Sequence, residues 1–190
     1  MPKILITGAL GQIGSELVPA LCQRYGSRNI IASDIRPASD QTILSAATFE
    51  TLDVTNFNQI AEIVNKYQIT TIYHLAALLS AVAEAHPQKA WHINMNGLYN
   101  MLEVARQYHC AVFMPSSIAA FGASTPRYMT PQDTIQRPDT IYGVTKVAGE
   151  LLCDYYFKRF GVDTRGVRYP GIISSKTPPG GGTTDYAVHI

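Results

Sequence analysis

The chain has 190 residues, of which 46% are apolar and 15% charged, and its formal net charge is +1. These values are typical of one ordinary globular domain, and the scattered basic residues exclude the basic stripe of a protein that binds nucleic acid or an anionic membrane. The apolar runs are too short to span a membrane, and the first strand pattern starts too close to Met1 for a signal or transit peptide. We therefore expect a cytoplasmic protein.

Strand-like apolar runs alternate with helical patterns along the whole chain. In chain order, the patterns predict a strand at 3–7, a helix at 14–25, a strand at 29–33, a helix at 57–67, a strand at 71–76, a helix at 88–108, a strand at 111–115, a helix at 145–160 and a strand at 164–169. Such alternation is typical of βαβ units, whose right-handed crossovers place helices on both faces of a parallel sheet. The predicted fold class is α/β, a doubly wound sheet of the Rossmann type.

A glycine-rich motif connects the first strand to the first helix. Gly8, Gly11 and Gly14 have the spacing GxxGxxG, in which glycine permits a tight turn, close approach of the backbone to a pyrophosphate and close packing of helix on sheet. The N–H groups at the start of the helix would face the phosphates, and Gln12 and Ile13 lie in the same turn. The motif predicts dinucleotide binding; the alternative is a strand–helix turn without a ligand.

Acidic residues follow the second strand and a later short strand pattern. Asp34 lies twenty residues after Gly14, where a carboxylate binds the adenosine ribose hydroxyls. This carboxylate favours NAD over NADP because a 2′-phosphate would place two like charges in contact, although Arg36 is close and would act the other way. Asp53 and Val54 are placed to meet the adenine edge, but Asp53 is equally suited to be a helix N-cap.

The sequence from Tyr142 to Lys146 reads YxxxK, which places both side chains on one face of a helix. A tyrosine pKa near ~10 is too high for a base at neutral pH. A lysine ammonium roughly 4 Å away would lower that pKa by up to about three pH units, before burial takes some of this back. The pair is thus a candidate for proton transfer; the alternative is an ordinary exposed helix pair.

Ser116 and Ser117 follow the predicted strand 111–115, at the carboxyl edge where parallel sheets bind ligands. A serine hydroxyl there would hold a substrate hydroxyl against Tyr142, whereas the simpler interpretation is turn or capping chemistry. A nucleophile elbow and a His/Asp partner are both missing from the sequence, so a hydrolase triad is not supported.

Neither disulfide formation nor metal binding is expected. The three cysteines, Cys22, Cys110 and Cys153, are far apart and odd in number, which indicates reduced thiols that behave as small apolar residues. The five histidines show no ligand-like spacing.

Taken together and in chain order, these motifs resemble the extended short-chain dehydrogenase/reductase family of NAD-dependent epimerases and dehydratases. The resemblance covers the whole chain and implies NAD as the cofactor. It implies that Tyr142 is the general base, that Lys146 holds the nicotinamide ribose and lowers the pKa of Tyr142, and that Ser117 orients the substrate. It also implies these further cofactor contacts: Leu75, Ala76, Ala77, Asn94, Tyr169 and Pro170.

Within the family, the sequence is most similar to the L-threonine dehydrogenase branch. The similarity is carried by 6–14, 33–36 and 168–174, and most specifically by 180–187. It implies oxidation of the 3-hydroxyl of L-threonine to 2-amino-3-oxobutanoate. The implied substrate contacts are Ser80, Ser117, Tyr142, Gly171, Thr183 and Thr184. Ser117 stands where that branch commonly has threonine, and both residues offer a hydroxyl.

Two other functions stay open. A sugar-nucleotide epimerase or dehydratase would use the same cofactor and the same Tyr142–Lys146 pair, so the YxxxK motif cannot separate it from a threonine dehydrogenase. A non-catalytic NAD-sensing protein on the same fold can lose the tyrosine or the lysine, and the presence of both argues against it.

The end of the chain differs from the rest. The Gly/Pro-rich stretch 177–182 predicts a mobile loop, and 183–190 looks like a helix start without a C-cap signal. We expect an NAD-binding domain at 1–175, and at 176–190 the loop and the start of a substrate-covering segment. That segment is more extensive in the resembled family, so we expect a fragment of a longer protein.

Helices 88–108 and 145–160 are expected on the same face of the sheet. The resemblance implies that they pair with a second copy as a twofold homodimer. Side chains that could supply an apolar surface beyond the core face are Tyr99, Leu102, Leu152, Tyr155 and Tyr156. The alternative is that these helices pack only against their own sheet.

Overall fold

The computed structural model describes residues 1–37 and 41–173, and its centre is a six-stranded parallel sheet with the order β3-β2-β1-β4-β5-β6. The strands are β1 (Ile4–Thr7), β2 (Ile30–Asp34), β3 (Thr48–Thr51), β4 (Thr71–His74), β5 (Ala111–Ser117) and β6 (Thr164–Tyr169). The described helices are α1 (Gln12–Tyr25), α2 (Gln41–Ala46), α3 (Phe57–Tyr67), α4 (Ser80–Ala85), α5 (Pro87–Trp91), α6 (Gly97–Tyr108) and α7 (Ile141–Phe160). This strand order is that of the doubly wound dinucleotide-binding fold, so the predicted fold class is confirmed.

Alternate side chains of β1 enter two separate cores, one on each face of the sheet. Ile4 and Ile6 pack against Val18 and Leu21 of α1, whereas Leu5 belongs to the core under α3, α6 and α7. Because successive strand residues point to opposite faces, a strand covered on both sides must be apolar throughout. The continuous apolar run at the start of the sequence therefore marks a central strand.

The predicted elements are all present, with ends displaced by up to four residues. The largest displacement is at α7, which begins at Ile141 and not at 145, because the hydroxyl of Thr140 caps it by accepting from the N–H of Gly143. The predicted helix 88–108 is α5 and α6 joined by a π-helical turn, His92–Asn96. The short helices α2 and α4 were not predicted, since each has only six residues and little periodicity.

Helices α6 and α7 do share one face of the sheet, but part of the predicted apolar surface was wrong. Leu102 and Tyr156 are buried in their own core, at 0% and 2% exposure, and Leu152 packs partly against it. Tyr99 and Tyr155 are about half exposed. The reason is that α6 packs on α3 as well as on the sheet, which turns Leu102 inward.

The three cysteines are buried and unpaired, as predicted. Burial raises the pKa of the Cys110 thiol to about 11 and that of Cys153 to about 12, so both are protonated at neutral pH. Within residues 1–37 and 41–173, every helix is too short or too polar to cross a membrane.

Candidate functional site

A cleft of about 720 Å³ lies at the carboxyl edge of the sheet, within the size range of small-molecule and cofactor sites. It is bordered by most of the predicted site residues: Gly8, Gly11, Gln12, Ile13, Gly14, Asp34, Arg36, Asp53, Val54, Leu75, Ala76, Ala77, Ser80, Ser117, Tyr142, Lys146, Tyr169, Pro170 and Gly171. Asn94 lies outside the cleft lining. Thr183 and Thr184, like the predicted loop 177–182, fall outside the described residues.

The glycine turn is shaped so that no side chain fits at two of its positions. A Cβ at Gly8, whose φ is +67°, would lie 2.8 Å from the backbone nitrogen of Ala76. A Cβ at Gly14 would lie 2.5 Å from the carbonyl oxygen of Gly8. Gly11 caps α1 without a side-chain hydrogen bond, so the first N–H groups of α1 stay available to a bound anion. This cradle fits the pyrophosphate of a dinucleotide.

Asp34 ends β2 beside this turn and is 6% exposed. Its carboxylate accepts hydrogen bonds from the N–H of Leu10 at 3.2 Å and from the N–H of Arg36 at 3.1 Å. The Arg36 guanidinium forms an ion pair with it, with Nε 3.0 Å from Oδ1. Asp34 thus braces the glycine turn, and Arg36 offsets part of its charge.

Asp53 and Val54 border the far end of the cleft. The Asp53 carboxylate accepts from the N–H and the hydroxyl of Thr55, at 2.9 and 2.7 Å. The N-cap of α3 is Asn56, whose side chain accepts from the N–H of Gln59. The alternative that Asp53 is the helix N-cap is therefore wrong.

Tyr142 lies in the first turn of α7, close to the end of β5. Burial raises the pKa of Tyr142 above the ordinary value, and the neighbouring Ser117 hydroxyl opposes this with a smaller effect. In this structure the phenol is therefore protonated at neutral pH.

Lys146 lies one turn further along α7 and is 8% exposed. Its ammonium donates to the carbonyl oxygen of Pro115 at 2.7 Å, and it stands 5.3 Å from the centre of the Tyr142 ring. The expectation that it lowers the pKa of Tyr142 is not met in this arrangement, because burial decides the direction in which that pKa moves. Burial lowers the pKa of Lys146 itself to about 8.

Asn94 lies in the π-helical turn and was expected among the cofactor contacts. Its side-chain oxygen accepts from the N–H of Leu78 at 2.8 Å, and its amide donates to the carbonyl of Leu78 and to the hydroxyl of Thr145. Asn94 therefore supports the wall of the cleft, and its contact with the cofactor stays a prediction. It borders an adjoining cavity of about 20 Å³ with His74 and Lys146, which is large enough for one water molecule.

Three acidic or basic side chains around α7 were missed in the sequence. Glu84 accepts from the N–H of Ile141 at 2.6 Å and so supports the start of the helix. Glu150 and Arg168 form an ion pair at 2.8 Å behind Ser116. The spacing of four residues from Lys146 to Glu150 is a signal that could have found Glu150, whereas Glu84 and Arg168 are brought there only by the fold.

The sequence model of the NAD dependent epimerase/dehydratase family matches residues 4–186. Among solved structures, an L-threonine dehydrogenase from Clostridium difficile is 63% identical over 100% of this chain and 60% of its own, with a TM-score of 0.96. The holo form of a GalE-like L-threonine dehydrogenase from Cupriavidus necator is 55% identical over 98% of this chain and 60% of its own, with a TM-score of 0.93. A curated relative from Staphylococcus saprophyticus, called an uncharacterized epimerase/dehydratase, is 58% identical over 100% of this chain and 59% of its own length. The chain thus spans about 60% of the length of these relatives.

The first prediction concerns the choice between NAD and NADP. We expect the unmodified protein to bind NAD more tightly than NADP. Asp34→Asn should narrow the ratio of the two dissociation constants by roughly 10- to 100-fold, because it removes a negative charge that would repel the 2′-phosphate of NADP. Asparagine keeps an acceptor for the Leu10 N–H, so the glycine turn stays braced. Isothermal titration calorimetry with both cofactors measures the ratio.

Arg36→Ala is the matched control, and it should change the ratio of the two dissociation constants in the opposite direction. Loss of this cation should widen the ratio in favour of NAD. Equal dissociation constants for the two cofactors in the unmodified protein would contradict the assignment of Asp34.

Proposed function

The chain belongs to the NAD-dependent epimerase/dehydratase family, and from that premise we propose that it carries the NAD site and the catalytic pair of an L-threonine 3-dehydrogenase. The reaction is oxidation of the 3-hydroxyl of L-threonine by NAD⁺, which yields 2-amino-3-oxobutanoate, NADH and a proton. The observation that carries the proposal is the convergence of Ser117, Tyr142 and Lys146 on a cleft that also holds the glycine cradle. The identity of 63% to an L-threonine dehydrogenase supports this substrate.

The side chains of the cleft divide the work of the reaction. NAD, when bound in the cradle, supplies a hydride acceptor for C3 of the substrate. Ser117 orients the substrate hydroxyl, and Tyr142 removes its proton as a general base. Because burial raises the pKa of Tyr142, the proposal requires the Lys146 ammonium to turn from the Pro115 carbonyl towards the phenol oxygen when the cleft is filled. Once it is beside the phenol oxygen, the positive charge of Lys146 would lower the pKa of Tyr142 and so favour the phenolate.

The substrate end of the site is assigned to Ser80, Gly171, Thr183 and Thr184. Ser80 begins α4 and Gly171 follows β6, so both stand at the carboxyl edge of the sheet beside Tyr142. A helix starting at Thr183 would offer N–H groups and hydroxyls to the threonine carboxylate. A sugar nucleotide would instead require a groove with basic side chains, and Lys176 is the only cation between Arg168 and Ile190 in the sequence. We also propose that residues 1–175 form the NAD-binding unit, that residues 176–190 begin the segment that covers the substrate, and that the protein is cytoplasmic.

L-Threonine should support the formation of NADH. The measurement is absorbance of NADH with NAD and L-threonine, using the protein extended past Ile190 to the length of its relatives. L-Valine, in which a methyl group replaces the hydroxyl, is the control substrate and should give no NADH. Thr184→Ala should raise KM for L-threonine well before it changes the dissociation constant of NAD. The proposal fails if L-threonine gives no NADH while a UDP-sugar is converted.

Tyr142→Phe should lower kcat by roughly 10²- to 10⁴-fold, because it removes the base and keeps the ring. The affinity for NAD should change little, whereas Lys146→Ala should reduce both kcat and NAD affinity. Tyr25→Phe, at the far end of α1, is the matched control and should leave kcat unchanged. Turnover within twofold of normal in Tyr142→Phe would exclude this tyrosine as the base.

We also propose that two copies pair through α6 and α7. These helices carry apolar side chains that are exposed to water in a single copy, which is typical of an interaction surface. They are Tyr99, Leu151, Tyr155, Phe157 and Phe160. A surface patch that pairs with the same patch on a second copy is typical of a twofold dimer.

Light scattering at micromolar concentration should give twice the mass of one chain. Leu151→Glu together with Tyr155→Glu should give a monomer, because two charges would be buried at the interface. Met129→Glu, an exposed position outside these helices, should leave the mass unchanged. A monomeric mass for the unmodified protein would contradict the dimer.

A further inference from the structure

Glu150 lies on α7 behind the cleft, and side chains from three parts of the chain meet at its carboxylate. The Ser116 hydroxyl of β5 donates a short hydrogen bond to it. Gln136, from the connection between β5 and α7, donates at 2.9 Å. Arg168 of β6 donates through Nε at 3.0 Å and through Nη2 at 2.8 Å. Side chains of Glu150 and Arg168 are both about one-fifth exposed, so water screens this pair less than a surface pair.

Two of these partners, Ser116 and Arg168, form one rung of the sheet at the edge of the cleft. Ser116 and Arg168 are direct partners in the parallel pairing of β5 with β6, and the next pair is Ser117 with Tyr169. Both members of that next pair line the cleft. The Glu150 carboxylate therefore clamps the rung next to Ser117 and Tyr169, the last pair of β5 and β6. Arg168 extends the clamp by donating to the carbonyl of Gln132 at 3.0 Å.

The charge of Glu150 also acts on Lys146, which lies one helical turn earlier. Burial lowers the pKa of Lys146 to about 8, and the Glu150 carboxylate opposes that effect. The other groups around the ammonium are the carbonyl of Pro115, the ring of Tyr142, and the side chains of Asn94, Thr145 and His74. His74 is uncharged at neutral pH because burial, with the nearby Lys146 charge, lowers its pKa to about 3. The cation of Arg168 is bound to Glu150 itself and reduces its field.

We propose that Glu150 is a positioning residue for the Tyr142–Lys146 pair: its carboxylate clamps the neighbouring ends of β5 and β6 at the cleft and keeps Lys146 protonated. The inference rests on the proposed function for the chemistry that the pair performs, but not for the state of Lys146 in the free protein. Without the carboxylate, the described side chains that border the ammonium would all be neutral, and the pKa of Lys146 would fall further. A neutral Lys146 could not stabilise the phenolate of Tyr142.

The pKa of Lys146 can be measured directly by NMR in the cofactor-free chain. The sequence has six lysines, so the Cε resonances of a ¹³C-lysine sample are few, and Lys146→Arg assigns the one of interest. Glu150→Gln should lower the pKa of Lys146 by about one pH unit or more. Glutamine keeps one acceptor oxygen, which can still accept from the Ser116 hydroxyl and the Arg168 Nε, but has no charge. Asp154→Asn, which removes a carboxylate one turn further along the same helix, is the matched control and should leave the pKa unchanged.

The direction of the change separates a charge effect from a loosened site. If Glu150 were only a structural clamp, its loss would admit water and raise the pKa of Lys146 towards its ordinary value near ~10.4. An unchanged or raised pKa in Glu150→Gln overturns the inference. If Glu150→Gln does not fold, Gln136→Lys is a second test of the same charge effect, and it leaves Glu150 in place. Its added ammonium should also lower the pKa of Lys146, and an unchanged value there counts equally against the inference.

Failure of this inference can be told apart from failure of the proposed function. A lowered Lys146 pKa in Glu150→Gln, with no NADH from L-threonine in the unmodified extended protein, would remove the proposed substrate and leave the role of Glu150 intact. If L-threonine gives NADH but the pKa of Lys146 does not fall in Glu150→Gln, the proposed function stands and the role of Glu150 is excluded.

Discussion

Close contact between the first helix and the ends of the two central strands is the constraint on which the site depends. Helix α1 starts directly over β1 and β4 because Gly8 and Gly14 have no Cβ; a methyl group at either position would fall within 3 Å of backbone atoms. This contact brings the free N–H groups of α1 to the edge of the sheet. It also brings the Leu10 N–H within reach of Asp34. The glycine turn at the cofactor end of the cleft is thus shaped by close backbone contacts.

The opposite end of the cleft depends on ionisable side chains that are largely withdrawn from water. Tyr142, Lys146 and Glu150 follow one another at intervals of one turn on α7, and burial raises the pKa of the first and lowers that of the second. Desolvation and the neighbouring carboxylate act on Lys146 in opposite directions, which leaves its pKa near neutral pH. Such balance makes the protonation of the pair sensitive to small displacements, including those that a bound ligand would cause. The cofactor end is shaped for a pyrophosphate, and we propose the end at Tyr142 and Lys146 for proton transfer.

Several predicted site residues make contacts in the structure that their sequence motifs do not indicate. Arg36, an ambiguous neighbour of Asp34 in the sequence, forms an ion pair with it. Asn94 matches a family motif, yet it bonds to Leu78 and Thr145 because a π-helical turn directs it into the wall of the cleft. Lys146 and Tyr142 share a helix face as expected, but the carbonyl of Pro115 binds the ammonium. In each case the deciding partner lies on another element or depends on a local departure from regular geometry.

The sequence by itself determined the α/β class, the central apolar strands, the glycine cradle, Asp34 at the end of β2, and the spacing of Tyr142 and Lys146. These features are local, because a strand period, a turn without Cβ atoms and an i, i+4 pair are complete within a few neighbouring residues. Only the tertiary structure decided that Glu150 and Arg168 meet behind Ser116, that Leu102 and Tyr156 are core residues, and which way the pKa of each buried group moves. Those outcomes depend on burial and on charges from distant parts of the chain, and neither quantity exists until the sheet has brought the strand ends together.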